Sequence, residues 1–139
     1  MKIYKETYYS LIASCPSAPW EAGGIIGGSA DIITELLPDH AGGEYGKYTP
    51  DTKMIEDTIA LWAERKIIFK GIYHSHYPKN NVLSQTDMEY IKKIMRSVNS
   101  IYSFLYFPII IPQKSITSYK AEFKNGEIVI TKDKIDVIG

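Results

Sequence analysis

At 139 residues, with 45% hydrophobic and 23% charged side chains, the chain has the make-up of one globular domain, not of a disordered segment. Lys plus Arg and Asp plus Glu number 16 each, which removes any electrostatic case for nucleic acid or an acidic membrane surface as a partner. The single cysteine, Cys15, excludes an internal disulfide and a thiolate zinc cluster, and reads as a small buried apolar residue.

The opening Met1-Lys2-Ile3-Tyr4-Lys5-Glu6 lacks the apolar run of a secretory signal, so a cytoplasmic protein is the expectation. Tyr4, Tyr8, Leu11 and Ile12 recur at helical spacing and predict a helix from Ile3 to Ala13, ended by Pro16 and Pro19. The glycine-rich stretch from Trp20 to Gly28 encloses a short apolar core. Gly24 to Gly28 predicts the start of a strand where backbones approach closely, turning at Gly28-Ser29-Ala30 into a second strand from Asp31 to Leu37. Neither Gly-x-Gly-x-x-Gly nor Gly-Lys-Ser/Thr is present, which argues against a phosphate-cradling loop. Glu21, just ahead of the strand, is either a solvated surface acid or a general base carried to a site by the strand.

Pro38 to Tyr48 reads as a flexible loop with His40 on the surface. Thr49 ahead of Pro50 predicts a capped helix with proline in its first position, running to about Arg65. Met54, Ile55, Thr58, Ile59 and Trp62 form one face of that helix. The apolar run from Ile67 to Tyr73 predicts a buried strand that delivers His74 and His76.

Side chains alternate along a strand, so His74 and His76 share one face and Ser75 takes the other. Two imidazoles converging at a strand end suit a metal ion. A polar loop follows, and Ser84-Gln85-Thr86-Asp87 opens a helix in the Ser-x-x-acid form of a capping box, which by itself needs no metal. An Asp in that first turn can swing toward the imidazoles. Two neutral nitrogens, one carboxylate and an open fourth place are the donor set of a catalytic zinc site.

From Ser84 the helix carries Met88, Ile91, Met95 and Val98 as a core stripe. Ser100 to Phe107 is strand-like. Phe107 to Gln113, bounded by Pro108 and Pro112, predicts an edge strand or ordered loop, and the apolar run it shares is too short to cross a bilayer. Ser115 to Phe123 and Glu127 to Thr131 flank Asn125-Gly126, a two-residue hairpin turn. Lys132 to Gly139 reads as an edge strand or tail.

The order of these residues resembles the JAMM (MPN+) zinc metalloprotease family, whose motif is an upstream Glu followed by His-x-His-x7-Ser-x-x-Asp. His74, His76, Ser84 and Asp87 stand at that spacing, with seven residues between His76 and Ser84. Glu21-Ala22-Gly23-Gly24-Ile25-Ile26-Gly27-Gly28 is similar to the upstream element, except that Gly23 stands where Cys is frequent. The resemblance spans nearly the whole chain and is to the stand-alone prokaryotic JAB-type branch.

It implies an α/β fold, a twisted mixed sheet flanked by helices in a cytidine-deaminase-like three-layer arrangement, over residues 1–139. It implies one zinc ion held by His74, His76 and Asp87, with Glu21 as general base and Ser84 as oxyanion donor. The substrate it implies is the bond after the C-terminal glycine of a ubiquitin-like or sulfur-carrier protein. Two other readings stay open on the sequence. One is a non-catalytic binding module of the same fold; the other is a zinc peptidase or amidohydrolase for small peptides.

Overall fold

The computed structural model describes residues 1–15, 20–45, 47–76, 80–98 and 101–139. In chain order these form β1 (Lys2–Tyr4), α1 (Lys5–Ser14), β2 (Trp20–Ser29), β3 (Ile32–Tyr45), β4 (Lys47–Tyr48), α2 (Thr52–Glu64) and β5 (Ile68–Ser75). There follow α3 (Gln85–Val98), β6 (Phe104–Tyr106), β7 (Ile109–Ile111), β8 (Ser115–Lys124), β9 (Glu127–Asp133) and β10 (Asp136–Ile138). The strands make one mixed sheet in the order β10-β1-β3-β2-β5-β6-β8-β7, with β4 on β3, β9 on β8, and β7 also paired to β5.

Strand alternation sorts the apolar residues onto the two faces of this sheet. Ile25, Ile72, Ile109 and Ile111 face α2 and α3, in a cluster with Ile55, Trp62, Ile91 and Met95. Their neighbours Ile26, Tyr73 and Ile110 face the other way, with Leu11 and Ile12 of α1 and Cys15 just after it. The architecture is therefore mixed α/β, a large mixed sheet with helices on both faces. Among the described residues no helix is long and apolar enough to cross a membrane.

Several elements depart from the pattern-based expectation. The helix expected from Ile3 begins at Lys5, because Lys2 to Tyr4 are held in the sheet between β10 and β3, both parallel to it. The proline-rich stretch expected at 16–19 lies outside the described residues. Pro38 to Tyr48, expected to be a flexible loop, is strand instead: β3 continues to Tyr45 opposite β2 and folds onto β4. The side chain of His40 lies outside the described ones.

The cap of α2 is Asp51, not Thr49, since its carboxylate accepts from the Lys53 and Met54 N–H groups at 3.1 and 3.2 Å. Pro50 accordingly stands outside the helix. The segment around Ile109 is not an edge. β7 lies between β5 and β8, and all three of its isoleucines are buried. The Asn125-Gly126 hairpin forms as expected, with φ of 53° and 80° at the two turn residues.

Candidate metal centre

The site is assembled at the end of β5, and β7 with the proline just before it fixes it there. The His74 N–H donates to the Pro108 carbonyl at 3.1 Å, and the His76 N–H donates to the Ile110 carbonyl at 3.0 Å. Both histidine backbones are thus held by the same short strand. Ser75 points to the opposite face, where its Oγ accepts the Ala22 N–H at 2.9 Å. That bond ties the start of β2 to the end of β5.

β2 runs antiparallel to β5 with Gly23 opposite His74. Continuing that register by two residues sets Glu21 beside His76. Its Oε1 lies 3.8 Å from His76 Nε2. The space over Gly23 is filled by the Tyr48 ring; a Cβ there would lie 2.5 Å from that ring and 2.6 Å from the Tyr73 carbonyl. Tyr48 in turn stacks on His74, ring centroids 6.2 Å apart and 13° from parallel, and donates its hydroxyl to Asp39 at 3.1 Å.

Asp87 comes from the first turn of α3. Ser84 and Asp87 form a reciprocal capping box: the Asp87 N–H donates to Ser84 Oγ at 3.0 Å, and the Ser84 N–H donates to Asp87 Oδ2 at 2.9 Å. This clamp turns the carboxylate toward the imidazoles. Asp87 Oδ2 lies 3.0 Å from His76 Nε2, and Oδ1 lies 3.2 Å from His74 Nε2. The two Nε2 atoms are 2.8 Å apart. All three residues are buried.

These distances allow a test of fit. A tetrahedral zinc at about 2.0–2.1 Å from each donor sets donors about 3.3 Å apart. The nitrogen pair at 2.8 Å and the imidazole–carboxylate contacts at 3.0 and 3.2 Å, made through different oxygens of Asp87, fall within about half an ångström of that spacing. The donor types also suit the ion. His76 Nδ1 donates to the Asn80 carbonyl at 2.9 Å, which leaves the Nε2 lone pair turned inward, as an outer hydrogen bond does for a metal-ligating histidine. His74, His76 and Asp87 could therefore hold a divalent cation.

The electrostatics follow from the same contacts. Burial pushes the Asp87 carboxyl upward, but hydrogen bonds from His74 and His76 outweigh it and hold the group well below the usual carboxylate range. Burial disfavours the charged form of His76, yet the Asp87 carboxylate raises it above its ordinary value. Burial raises the Glu21 carboxyl, the imidazoles of His76 and His74 opposing it. Burial also raises the Tyr90 hydroxyl well above its ordinary value, with Asp87 adding to it.

All five residues singled out in the sequence are thus brought to one place. His74, His76 and Asp87 share donor contacts, Glu21 stands beside them, and Ser84 clamps Asp87. Because Ser84 Oγ accepts in that clamp, its O–H hydrogen stays available to donate elsewhere; capping and donation do not compete. Pattern reading missed Tyr48, Tyr90 and the Asn80 carbonyl. Tyr90 had a usable signal, standing three residues after Asp87 and so on the same helix face.

No family model matches the chain, and no curated protein matches it. Among solved structures, the solution structure of a protein from Desulfitobacterium hafniense is similar over 99% of this chain and 92% of that one, at 15% identity and a TM-score of 0.67. The likeness is one of fold. A second solution structure, of a protein from Salinibacter ruber, is similar over the same shares, 99% and 92%, at 14% identity and a TM-score of 0.59. Both were solved by the Northeast Structural Genomics Consortium.

Proposed function

We propose that this chain is a zinc metallopeptidase of the JAMM (MPN+) type, cleaving the bond after the C-terminal glycine of a ubiquitin-like or sulfur-carrier protein. The observation that carries the reading is the gathering of four groups from three separate segments. Donor atoms of His74, His76 and Asp87 lie within 3.2 Å of their neighbours, and a carboxylate from residue 21 lies 3.8 Å from His76. The motif spacing and the order of elements support it further. The sheet with α1 on one face and α2 and α3 on the other is read as the cytidine-deaminase-like three-layer form of that family. A cytoplasmic location belongs to the same proposal.

His74, His76 and Asp87 hold the ion. Zinc, when bound, polarises a scissile carbonyl and lowers the pKa of a coordinated water to about 7. Glu21 accepts a proton from the attacking water and returns it to the leaving amine, a role suited to a carboxyl that burial has raised. The free Ser84 O–H donates to the developing oxyanion. Removing a donor of that kind costs about 3 kcal/mol of transition-state stabilisation in other enzymes.

The test uses zinc-loaded protein and fusions in which a ubiquitin-like domain ending in Gly-Gly precedes a reporter, with products read by mass spectrometry. The reading expects cleavage after the second glycine, abolished by chelator and by Glu21→Gln while that variant keeps its zinc. Zinc-loaded protein that binds such fusions and cuts none would mark a binding module. Equal turnover of short Gly-x peptides would mark a small-peptide hydrolase.

A further inference from the structure

The outer nitrogens of the two imidazoles are anchored by different chemistry. His76 Nδ1 meets the Asn80 carbonyl, which can only accept, so this nitrogen carries a proton and Nε2 is turned inward. His74 Nδ1 lies 3.0 Å from the Tyr90 hydroxyl, which can donate or accept. On the inner side, His74 Nε2 faces His76 Nε2 at 2.8 Å and Asp87 Oδ1 at 3.2 Å, and His76 Nε2 faces Asp87 Oδ2 at 3.0 Å. Two bare nitrogens cannot face each other that closely without a proton or a cation between or beside them.

With a cation on the inner face both Nε2 atoms are bare, so His74 carries its proton on Nδ1 and donates it to the Tyr90 oxygen. Tyr90 then supplies for His74 the outer acceptor that the Asn80 carbonyl supplies for His76.

We propose that Tyr90 is a positioning residue for His74, its hydroxyl oxygen accepting from Nδ1 so that Nε2 is turned bare toward a cation. The proposal rests on the reading of His74, His76 and Asp87 as a metal centre. The fold favours it. Asp87 and Tyr90 lie one turn apart on α3, so a single helix supplies both an inner donor and the outer partner of His74. The Tyr90 ring sits edge-on to His74 (centroids 5.8 Å, 79°) and to Phe107 (6.3 Å, 65°), which aims the hydroxyl. With Tyr48 stacked on it as well, His74 is held by two tyrosine rings that act differently: one only packs, the other also bonds.

The test compares wild type with Tyr90→Phe, which keeps the ring, and with Tyr102→Phe, a tyrosine packed edge-on to Phe69 at the other end of β5. Zinc affinity is measured by chelator competition, and imidazole tautomers are read from long-range proton–nitrogen NMR spectra with and without zinc. Tyr90→Phe is expected to bind zinc about 10–100-fold more weakly, the range found when such outer partners are removed. Tyr102→Phe should stay within about twofold of wild type. Zinc-bound wild-type His74 should carry its proton on Nδ1, a readout that stands even if a variant fails to fold.

Equal zinc affinity in Tyr90→Phe, equal loss in Tyr102→Phe, or a zinc-bound His74 with no proton on Nδ1 would each overturn the role of Tyr90 while leaving the metal centre standing. Wild-type protein that binds no zinc would instead overturn the metal centre, and this proposal with it.

Discussion

Asp87→Asn separates what the Asp87 carboxylate does for the fold from what it does for a cation. In the structure one oxygen accepts the Ser84 N–H at 2.9 Å while the pair faces both imidazoles at 3.0 and 3.2 Å. Asparagine keeps a side-chain oxygen that accepts the Ser84 N–H, so the clamp on α3 survives and only the charge goes. Losing charge-assisted bonds from the imidazoles costs about 2 kcal/mol. For 139 residues the entropy of unfolding near the midpoint is about 0.3 kcal/mol per degree, so metal-free Tm falls by about 7 °C.

Zinc is expected to act very differently on the two proteins. At free zinc about 100 times its Kd, the wild type gains about 2.7 kcal/mol, which is about 9 °C in Tm. Asp87→Asn at the same free zinc should shift by less than about 2 °C, because a neutral amide oxygen replaces the anionic donor. The assay is a thermal melt with buffered zinc, repeated after chelation. A wild-type shift retained in full by Asp87→Asn would refute the assignment of this carboxylate as a donor.

Other parts of the molecule give independent checks. Gly23→Ala places a methyl 2.5 Å from the Tyr48 ring and 2.6 Å from the Tyr73 carbonyl, so urea unfolding should show a loss of about 1–3 kcal/mol, and an unchanged midpoint would contradict this packing. Asp51→Ala removes the acceptor for two N–H groups of α2 and should cost about 1 kcal/mol in the same assay. Burial pushes the Cys15 thiol up to about 11; a raised thiol pKa means less thiolate. At pH 8 native Cys15 should therefore be alkylated about 100-fold more slowly than in urea, where the pKa returns to about 8.5. Equal rates would show the thiol to be open to solvent.

The parts of the site that were legible in the sequence are those fixed by local geometry. Alternation along one strand places His74 and His76 together, and Ser-x-x-Asp places Asp87 in the first turn of the next helix. Glu21 was legible only as an order of residues, because its place beside His76 depends on the antiparallel register that sets Gly23 opposite His74. The role of Ile109 to Ile111 was hidden for the same reason: a short run between prolines looks like an edge, and only pairing with both β5 and β8 puts it at the centre.

At the chain start, the helical spacing of Tyr4 with Tyr8 and Leu11 was misleading. Tyr4 is 44% exposed, and its segment is held by strands from residues 32–33 and 136–138. Tyr48 was missed because a glycine-rich composition from Pro38 onward reads as a loop. In fact β3 and β4 carry that tyrosine onto Gly23 and His74.

The most direct measurement of the central claim is zinc stoichiometry by native mass spectrometry, on wild type and on His76→Ala. Three convergent donors predict one zinc ion per chain in the wild type and its loss in the variant, with both proteins folded. A folded wild type that retains no zinc, or a variant that retains it equally, would contradict the account.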